Sequence, residues 1–220
     1  MNRVGYVISH KNNERRRALL PHDVSKVRHR GQLVIESGYG DVLGYSDMEY
    51  RSVGASVADR NAVLGCDVLV DVKLGDADYL HMIAPGKTLV GWAHIVQKAD
   101  FTDAAIAGRH TVVAWEDINE KGRYIFYRNR ELAGETAVLQ AFTHYGRMPY
   151  DCRVAILGNG MTAHGAHRML CGLGAKVDIY PRKLEMLFKE RMQEYDVLVN
   201  CIMWTRGAPT VSSTGATSSG

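Results

Sequence analysis

The sequence has little that would tie the protein to a membrane, to secretion or to nucleic acid. Its four cysteines, Cys66, Cys152, Cys171 and Cys201, form no C-x-x-C pair, so neither a disulfide framework nor a thiolate metal site is indicated. No stretch approaches the roughly 18 apolar residues that a membrane span needs, and the first apolar run, VGYVIS, is too short for a signal peptide. The net charge of +3 is too small and too scattered to favour nucleic acid. We therefore expect a reduced, cytoplasmic protein without membrane or nucleic-acid partners.

Two further kinds of site are not indicated. The sequence contains no G-x-S-x-G elbow and no Cys-His nucleophile signature. His164 and His167 stand three residues apart on one predicted helix, a spacing that can seat a metal. No carboxylate or cysteine partner is evident for them, so a packed or solvated pair is favoured and no metal site is predicted.

Short apolar runs alternate with longer amphipathic segments along the 220 residues, of which 46% are hydrophobic and 23% charged. The runs predicted as strands are RVGYVIS, QLVIESG, CDVLVDVK, KTLVGWA, TVVAWE, RVAILG, KVDIY and DVLVNCIMW. The segments predicted as helices are PHDVSKVRHRG, SDMEYRSVG, DADYLHMIA, QKADFTDAAIAG, ELAGETAVLQAFTHYGR, MTAHGAHRMLCGLG and KLEMLFKERMQEY. This alternation predicts an α/β fold whose parallel sheets are covered by helices on both faces.

A domain boundary is predicted where one long helix, RELAGETAVLQAFTHYG, is followed by the strand RVAILG. We predict two Rossmann-like parallel-sheet domains, the second of them incomplete. Residues 1–130 would form the first domain, 131–150 a connecting helix, 151–204 part of a dinucleotide-binding domain and 205–220 a disordered tail.

A glycine-rich loop carries the most explicit chemistry. Gly158-Asn159-Gly160 follow a predicted strand, and Gly165 lies in the next helix, which gives a stretched form of the dinucleotide-binding fingerprint. Gly158 would make the tight turn, Gly160 would admit a pyrophosphate and Gly165 would allow close packing of helix on strand. The first turn of the helix, with Thr162, would offer N–H groups to the phosphates. The pattern alone also fits any tight turn, but the strand KVDIY at the expected distance favours a cofactor loop.

The end of KVDIY bears on the choice of cofactor. NAD enzymes usually carry an acidic residue there, whereas this chain continues Pro181-Arg182-Lys183, and Asp178 stands two residues too early. A guanidinium suits the 2′-phosphate of NADPH because it binds phosphate through two parallel hydrogen bonds. Arg182 and Lys183 could also simply begin a solvated helix. NADPH is the favoured cofactor.

Three polar side chains follow predicted strands in the first half of the chain. Arg16 lies after RVGYVIS, Lys73 ends CDVLVDVK and His94 directly follows KTLVGWA. Each alone fits an ordinary surface or strand-end residue. Ligands of open α/β sheets bind beyond the carboxyl ends of the strands, so together they predict one shared site.

These stretches resemble the alanine dehydrogenase and pyridine nucleotide transhydrogenase N-terminal domain family over nearly all of residues 1–204. The matched positions are Glu14, Arg16, Ala18, Leu19 and Pro21 of E-x-R-x-A-L-x-P, then Val72-Lys73, then His94. Two departures, Leu74-Gly75 after the lysine and Pro181 at an acidic position, argue against alanine dehydrogenase itself.

Within the family, the closer resemblance is to the N5-(carboxyethyl)ornithine synthases, which use NADPH. The similar stretches are FYRNRELAGE, GNGMTAHGA, YPRK and YDVLVNCIMW. The resemblance implies reductive condensation of pyruvate, a 2-keto acid, with the side-chain amine of ornithine, a diamino acid. It implies that Arg16 and Lys73 bind the keto acid, and His94 can move a proton at the carbinolamine or imine. A homo-oligomer is expected for the full-length form.

Three alternatives stay open. An alanine dehydrogenase or a saccharopine-type dehydrogenase would differ in its amine donor, ammonia or lysine in place of ornithine. A non-catalytic domain would bind amino acid or nucleotide without turnover. A degraded gene product would not fold in isolation.

The stretch after Trp204 differs from the rest of the chain. Residues 205–220 carry one charge, Arg206, and are mostly Ser, Thr, Gly and Ala. The resemblance stops at Trp204, and with suitable synonymous codons one inserted base turns the tail into a charged, family-like continuation. The expectation from sequence is therefore a truncated or frameshifted member with impaired turnover.

Overall fold

The computed structural model describes residues 2–202, and Trp204 and the predicted tail lie outside the described residues. The chain divides into two compact units, Met1–Ile125 and Phe126–Gly220. The predicted domain limits at residues 130 and 150 remain predictions. The long helix of that region belongs, in this division, to the second unit.

The first unit is built on a six-stranded sheet whose paired strands all run parallel. Its strands are β1 (Val4–Tyr6), β2 (Leu33–Glu36), β3 (Ser56–Ala58), β4 (Val68–Val70), β5 (Thr88–Gly91) and β6 (Thr111–Ala114). Its helices are α1 (Pro21–Val24), α2 (Asp47–Ser52), α3 (Arg60–Leu64) and α4 (Ala99–Ala107), and a small hairpin follows, β7 (Asn119–Glu120) with β8 (Arg123–Tyr124). The strand order β3-β2-β1-β4-β5-β6 is that of a doubly wound sheet.

The second unit holds a three-stranded parallel sheet in the order β10-β9-β11. Its elements are α5 (Tyr127–Tyr145), β9 (Arg153–Leu157), α6 (Met161–Gly172), β10 (Lys176–Tyr180), α7 (Glu185–Arg191) and β11 (Val197–Asn200). None of the helices within residues 2–202 is long and apolar enough to cross a bilayer.

Both faces of the six-stranded sheet are buried. Val34 joins the apolar cluster on one face with Leu69 and Leu89, while its neighbour Ile35 joins the cluster on the other face with Tyr50. Successive side chains of a strand point to opposite faces, so continuous apolar runs are what such a strand requires. The predicted parallel α/β fold is confirmed.

Several predicted elements differ from the observed ones. The segment DADYLHMIA, predicted as a helix, begins at the last residue of a 3₁₀ turn, Leu74–Asp76, and contains a second short 3₁₀ turn at Leu80–Met82. Its backbone forms the bonds of tight turns, since the Ala77 N–H donates to the Leu74 carbonyl at 3.0 Å and the Met82 N–H to the Tyr79 carbonyl at 2.8 Å. Strand β3 and helix α3, both short, were not predicted.

Helix PHDVSKVRHRG is also shorter than predicted, because only α1 forms. The Ser25 hydroxyl donates to the His22 carbonyl at 2.8 Å, and such local bonds compete with continuation of a helix.

Gly165 has a role different from the predicted one. A Cβ at Gly165 would lie 2.0 Å from the Glu131 carbonyl oxygen of α5, and a Cβ at Gly134 would lie 2.0 Å from the Thr162 carbonyl oxygen of α6. The two glycines therefore let α5 and α6 cross with their backbones in contact. The prediction that Gly165 serves close packing of helix on strand is wrong, because its nearest neighbours belong to another helix.

Candidate functional site

The polar residues predicted for the first site all lie in loops beyond the carboxyl ends of parallel strands. Arg16 belongs to the loop after β1, Lys73 to the loop after β4 and His94 to the loop after β5. Strand β1 pairs with β4, and β4 with β5, so these loops emerge side by side.

Arg16 is held in place by a carboxylate and an aromatic ring. Its Nε donates to Glu14 Oε1 at 2.8 Å, and its backbone N–H donates to the same oxygen at 2.9 Å. Its guanidinium carbon lies 4.8 Å from the centre of a Trp92 ring. Burial alone would raise the pKa of Glu14, but the hydrogen bonds and charge of Arg16, with the charge of Lys73, bring that pKa below its usual value. An ionised Glu14 therefore connects Arg16 and Lys73 electrostatically.

Lys73 presents a cation that is not neutralised by a direct contact. Its backbone N–H donates to Asp71 Oδ1 at 2.9 Å, which fixes the chain where the loop begins. Within residues 2–202, no side chain lies within hydrogen-bond or ion-pair distance of the Lys73 ammonium. The residue as a whole is half-buried, and its charge lowers the pKa of both Glu14 and Asp76. Such a group can bind an incoming carboxylate or carbonyl oxygen.

His94 adopts an unusual backbone conformation at the end of β5. Its φ of +48° and ψ of +43° lie in the left-handed region, which residues other than glycine seldom occupy. The Glu116 carboxylate supports this turn, since it accepts hydrogen bonds from the backbone N–H groups of Ala93 (3.2 Å) and His94. His94 Nδ1 lies 4.0 Å from Glu116 Oε1. The imidazole is therefore held next to a carboxylate and about one third exposed.

Asp71, immediately before the Lys73 loop, is fully buried. It accepts hydrogen bonds from the Lys73 backbone and, at 3.4 Å, from the Tyr79 hydroxyl. Burial raises the pKa of Asp71 to about 6, although hydrogen bonds from Lys73, Ser9 and Tyr79 and the charge of Arg60 act in the opposite direction.

This raised pKa predicts a pH-dependent stability. The folded protein binds the Asp71 proton more tightly than the unfolded chain does, so this contribution is complete below about pH 4 and is lost as the pH rises through about 6. Relative to the parent, Asp71→Asn is expected to gain about 3 kcal/mol in free energy of unfolding between about pH 4 and pH 7. Urea unfolding at several pH values measures this difference. If the stability of Asp71→Asn differed from that of the parent by the same amount at every pH, the burial argument would be contradicted.

Gly75 and Gly91 explain why the two loops can lie so close together. A Cβ on Gly75 would be 2.1 Å from the Ala93 carbonyl oxygen, and one on Gly91 would be 1.8 Å from the Asp71 carbonyl oxygen. The glycine of Leu74-Gly75, where the sequence departs from the alanine dehydrogenase pattern, therefore has a structural reason. The backbone at Gly75 packs directly against the loop that carries His94.

In the second unit, the glycine loop connects β9 to α6 as predicted from its spacing. Gly158 has a φ of +108°, and its N–H donates to the Tyr180 carbonyl of β10 at 2.9 Å. Gly160 precedes α6 without any side-chain cap, and the space around its missing Cβ is open for 4 Å. The first N–H groups of α6, Thr162 included, consequently have no acceptor within the helix. Asn159 Oδ1 lies 3.1 Å from His164 Nε2.

Arg182 and Lys183 form a short 3₁₀ turn directly after β10, and both are exposed. Strand β10 is the strand that Gly158 contacts, so the basic pair follows the strand next to the glycine loop. Asp178 does not serve as the acidic residue of this site, since its Oδ2 accepts a hydrogen bond from Tyr195 at 2.7 Å.

The other histidine of α6, His167, has a local partner. His167 Nε2 lies 3.3 Å from Cys171 Sγ, one turn further along. Over residues 2–202, no group of three or more His, Cys, Asp or Glu side chains is placed to hold a metal ion.

Sequence reasoning missed three residues that position the first site. Glu116 and Trp92 were read only as parts of strands, and Asp71 only as a strand end. The available signal for Glu116 was its place at the carboxyl end of TVVAWE, one strand over from His94. Contact between these residues depends on pairing of β5 with β6, which one sequence does not reveal.

The profile described as "Alanine dehydrogenase/PNT, N-terminal domain" matches residues 8–126, more than half of the chain. The chain belongs to this family. The chain is an oxidoreductase of this family. The match contains Arg16, Lys73 and His94.

Two relatives extend the similarity into the second unit. N(5)-(carboxyethyl)ornithine synthase of Clostridium botulinum is 30% identical over 218 residues, which cover 91% of this chain and 68% of that protein. The enzyme of the same name from Lactococcus lactis subsp. lactis is 29% identical, with the same coverage of 91% and 68%. A transhydrogenase from Sinorhizobium meliloti has the same fold, with a TM-score of 0.75 at 20% identity over 91% of this chain and 70% of that one.

Proposed function

We propose that the protein catalyses the NADPH-dependent reductive condensation of a 2-keto acid, pyruvate, with the side-chain amine of ornithine. The observation that supports the proposal is that Arg16, Lys73 and His94 lie on loops after three strands that neighbour one another in one sheet. The carboxyethylornithine synthases among the relatives support the choice of substrates.

Arg16 and Lys73 have the chemistry that a 2-keto acid requires. Glu14 and Trp92 fix the plane of the Arg16 guanidinium, which can then bind the substrate carboxylate through two parallel hydrogen bonds. The Lys73 ammonium donates to the keto oxygen and polarises the carbonyl for attack by the amine. Both cations stabilise negative charge that develops on oxygen.

His94 moves the proton of the dehydration step. Attack of the neutral amine on the carbonyl gives a carbinolamine, and loss of its hydroxyl as water requires a proton donor. His94 donates this proton, and Glu116 orients the loop that carries the imidazole. NADPH supplies the hydride that reduces the imine carbon.

The second unit has features that fit a dinucleotide phosphate. The uncapped start of α6 offers N–H groups, and the open space at Gly160 admits a pyrophosphate close to the backbone. Gly158 makes the turn with its positive φ. Arg182 and Lys183 would bind the 2′-phosphate that distinguishes NADPH from NADH.

The choice of cofactor predicts the effect of removing one guanidinium. Arg182→Gln is expected to weaken NADPH binding by about tenfold or more while leaving NADH binding unchanged, because a charge-assisted hydrogen bond to the 2′-phosphate is lost. Quenching of protein fluorescence by each nucleotide measures this. Lys176→Gln, at the opposite end of the same strand, is the matched control. Equal weakening of both nucleotides would contradict the assignment.

The proposed reaction is tested by offering the protein pyruvate and NADPH with ornithine, lysine or ammonia in separate long incubations. Mass spectrometry of the products registers even slow turnover. A carboxyethyl adduct with ornithine is expected. Alanine as the main product, or an adduct formed preferentially with lysine, would overturn the proposal in favour of the corresponding dehydrogenase. Nucleotide binding with no product from any donor would indicate a binding domain.

A further inference from the structure

A cavity of about 550 Å³ lies within the first unit. Its volume falls in the range of small-molecule binding sites. Two segments form its walls, Gly75–Asp78 after Lys73 and Gln97–Phe101 after His94. Apolar side chains, Leu80 and Phe101, close part of it and are buried.

The cavity carries charges of both signs. Lys98 Nζ lies 2.5 Å from Asp76 Oδ1, and Lys11 Nζ lies 3.6 Å from the same oxygen. The Lys98 side chain is 38% exposed and that of Asp76 is 17% exposed, so water and solutes reach both. A site for an anion alone would not line its wall with the Asp76 carboxylate, and a site for a cation alone would not line it with the Lys98 ammonium.

The position of the pair follows from the chain. Asp76 ends the short turn that begins directly after Lys73, and Lys98 follows the short turn that begins directly after His94. The charge of Lys73 acts on Asp76. The cavity therefore adjoins the residues assigned to the keto acid and to proton transfer.

We propose that this cavity binds the zwitterionic amino-acid end of the amine donor, with Lys98 on the α-carboxylate and Asp76 on the α-ammonium. The inference rests on the proposed function and names the part of the site that selects a diamino acid over ammonia. Binding opens the Asp76–Lys98 pair, whose lysine side chain is 38% exposed. The zwitterion then replaces one ion pair with two.

The test uses three ligands that differ by one charged group. L-ornithine carries both groups, 1,4-diaminobutane lacks the carboxylate and 5-aminopentanoate lacks the α-ammonium. Their dissociation constants are measured by calorimetry on the whole protein, with and without NADP⁺ and pyruvate. The parent is expected to bind ornithine about tenfold or more tightly than either analogue.

The variants separate the two contacts. Lys98→Gln should remove the advantage of ornithine over 1,4-diaminobutane, and Asp76→Asn its advantage over 5-aminopentanoate. Lys98→Arg keeps the charge and should retain ornithine binding. Lys189→Gln and Glu185→Gln break a comparable exposed pair on α7 and should change none of the constants.

The proposal is overturned if the parent does not bind ornithine measurably or prefers it to neither analogue. It is also overturned if the two variants weaken all three ligands equally, as loss of a purely structural ion pair would. If Lys98→Gln or Asp76→Asn unfolds the protein, the proposal is judged by two other results. These are whether Lys98→Arg retains ornithine binding and whether the parent prefers ornithine to the two analogues. Selective binding without a condensation product would count against the proposed reaction alone, and a product with unselective binding would count against the cavity alone.

Discussion

Replacing Lys73 by glutamine is expected to lower kcat/KM for pyruvate by about 100- to 1,000-fold. The ammonium is the cation of the first site that has no direct partner among residues 2–202, so its hydrogen-bonding capacity is available to substrate. Removing one preorganised donor to a developing oxyanion typically has an effect of this size. Stability should change little, because no contact within the described residues depends on the ammonium. Initial rates at saturating ornithine and NADPH measure the loss.

Lys26→Gln provides the matched control for this variant. Lys26 is an exposed lysine of the same unit that follows α1, and its ammonium lies 3.2 Å from Asp23. Its replacement should leave the kinetics unchanged. A Lys73→Gln variant with kcat/KM within threefold of the parent would remove Lys73 from the site. Lys73→Arg distinguishes charge from geometry, since a guanidinium keeps the charge but not the compact donor.

Introducing alanine at Gly165 is expected to destabilise the second unit by about 3 kcal/mol. The added Cβ would meet the Glu131 carbonyl oxygen at 2.0 Å, and backbone cannot yield as a flexible side chain does. Overpacking in a well-packed interior typically costs about 1 to 3 kcal/mol, and contact with rigid backbone lies at the upper end. Hydrogen exchange of α5 and α6 peptides, read by mass spectrometry, reports this unit separately from the other.

Gly172 of the same helix provides a control, because alanine at this position is expected to raise stability rather than lower it. Nothing lies within 4 Å of a Cβ at this position, so Gly172→Ala should stabilise the helix by about 0.5 kcal/mol through the lower entropy of the unfolded chain. Gly134→Ala should resemble Gly165→Ala, because a Cβ there would meet Thr162 at 2.0 Å. Equal exchange rates in the Gly165→Ala and Gly172→Ala variants would show that the two helices do not cross as described.

The sequence predicted most of the fold because buried parallel strands have a strong signature. Runs such as CDVLVDVK and RVAILG are apolar on both faces, and each became a strand, β4 and β9. Strand β3 was not predicted because it is only three residues long, Ser56–Ala58, and none of them is fully buried. The prediction for DADYLHMIA was wrong because its apolar spacing suits a helix, whereas its backbone closes tight turns such as the 3₁₀ turn at Leu80–Met82.

The part of the candidate site that was predictable from the sequence consists of residues that directly follow predicted strands. Arg16, Lys73 and His94 stand directly after strands, and the glycine spacing located the loop at Gly158. The residues that support them were not predictable. Glu116 acts on His94 across 22 positions of sequence, and Trp92 approaches Arg16 only once β1 and β5 are in place. The α5–α6 crossing likewise needs Gly134 and Gly165 together, which spacing along one helix cannot disclose.

The central claim is that hydride passes from NADPH to the carbon joining keto acid and amine. The most direct measurement is mass spectrometry of the product formed from pyruvate, ornithine and NADPH deuterated at the transferring position of C4. Reductive condensation predicts a carboxyethylornithine one mass unit heavier than the unlabelled product, with the deuterium on the former keto carbon. An adduct without deuterium, or deuterium found only in lactate or alanine, would contradict it.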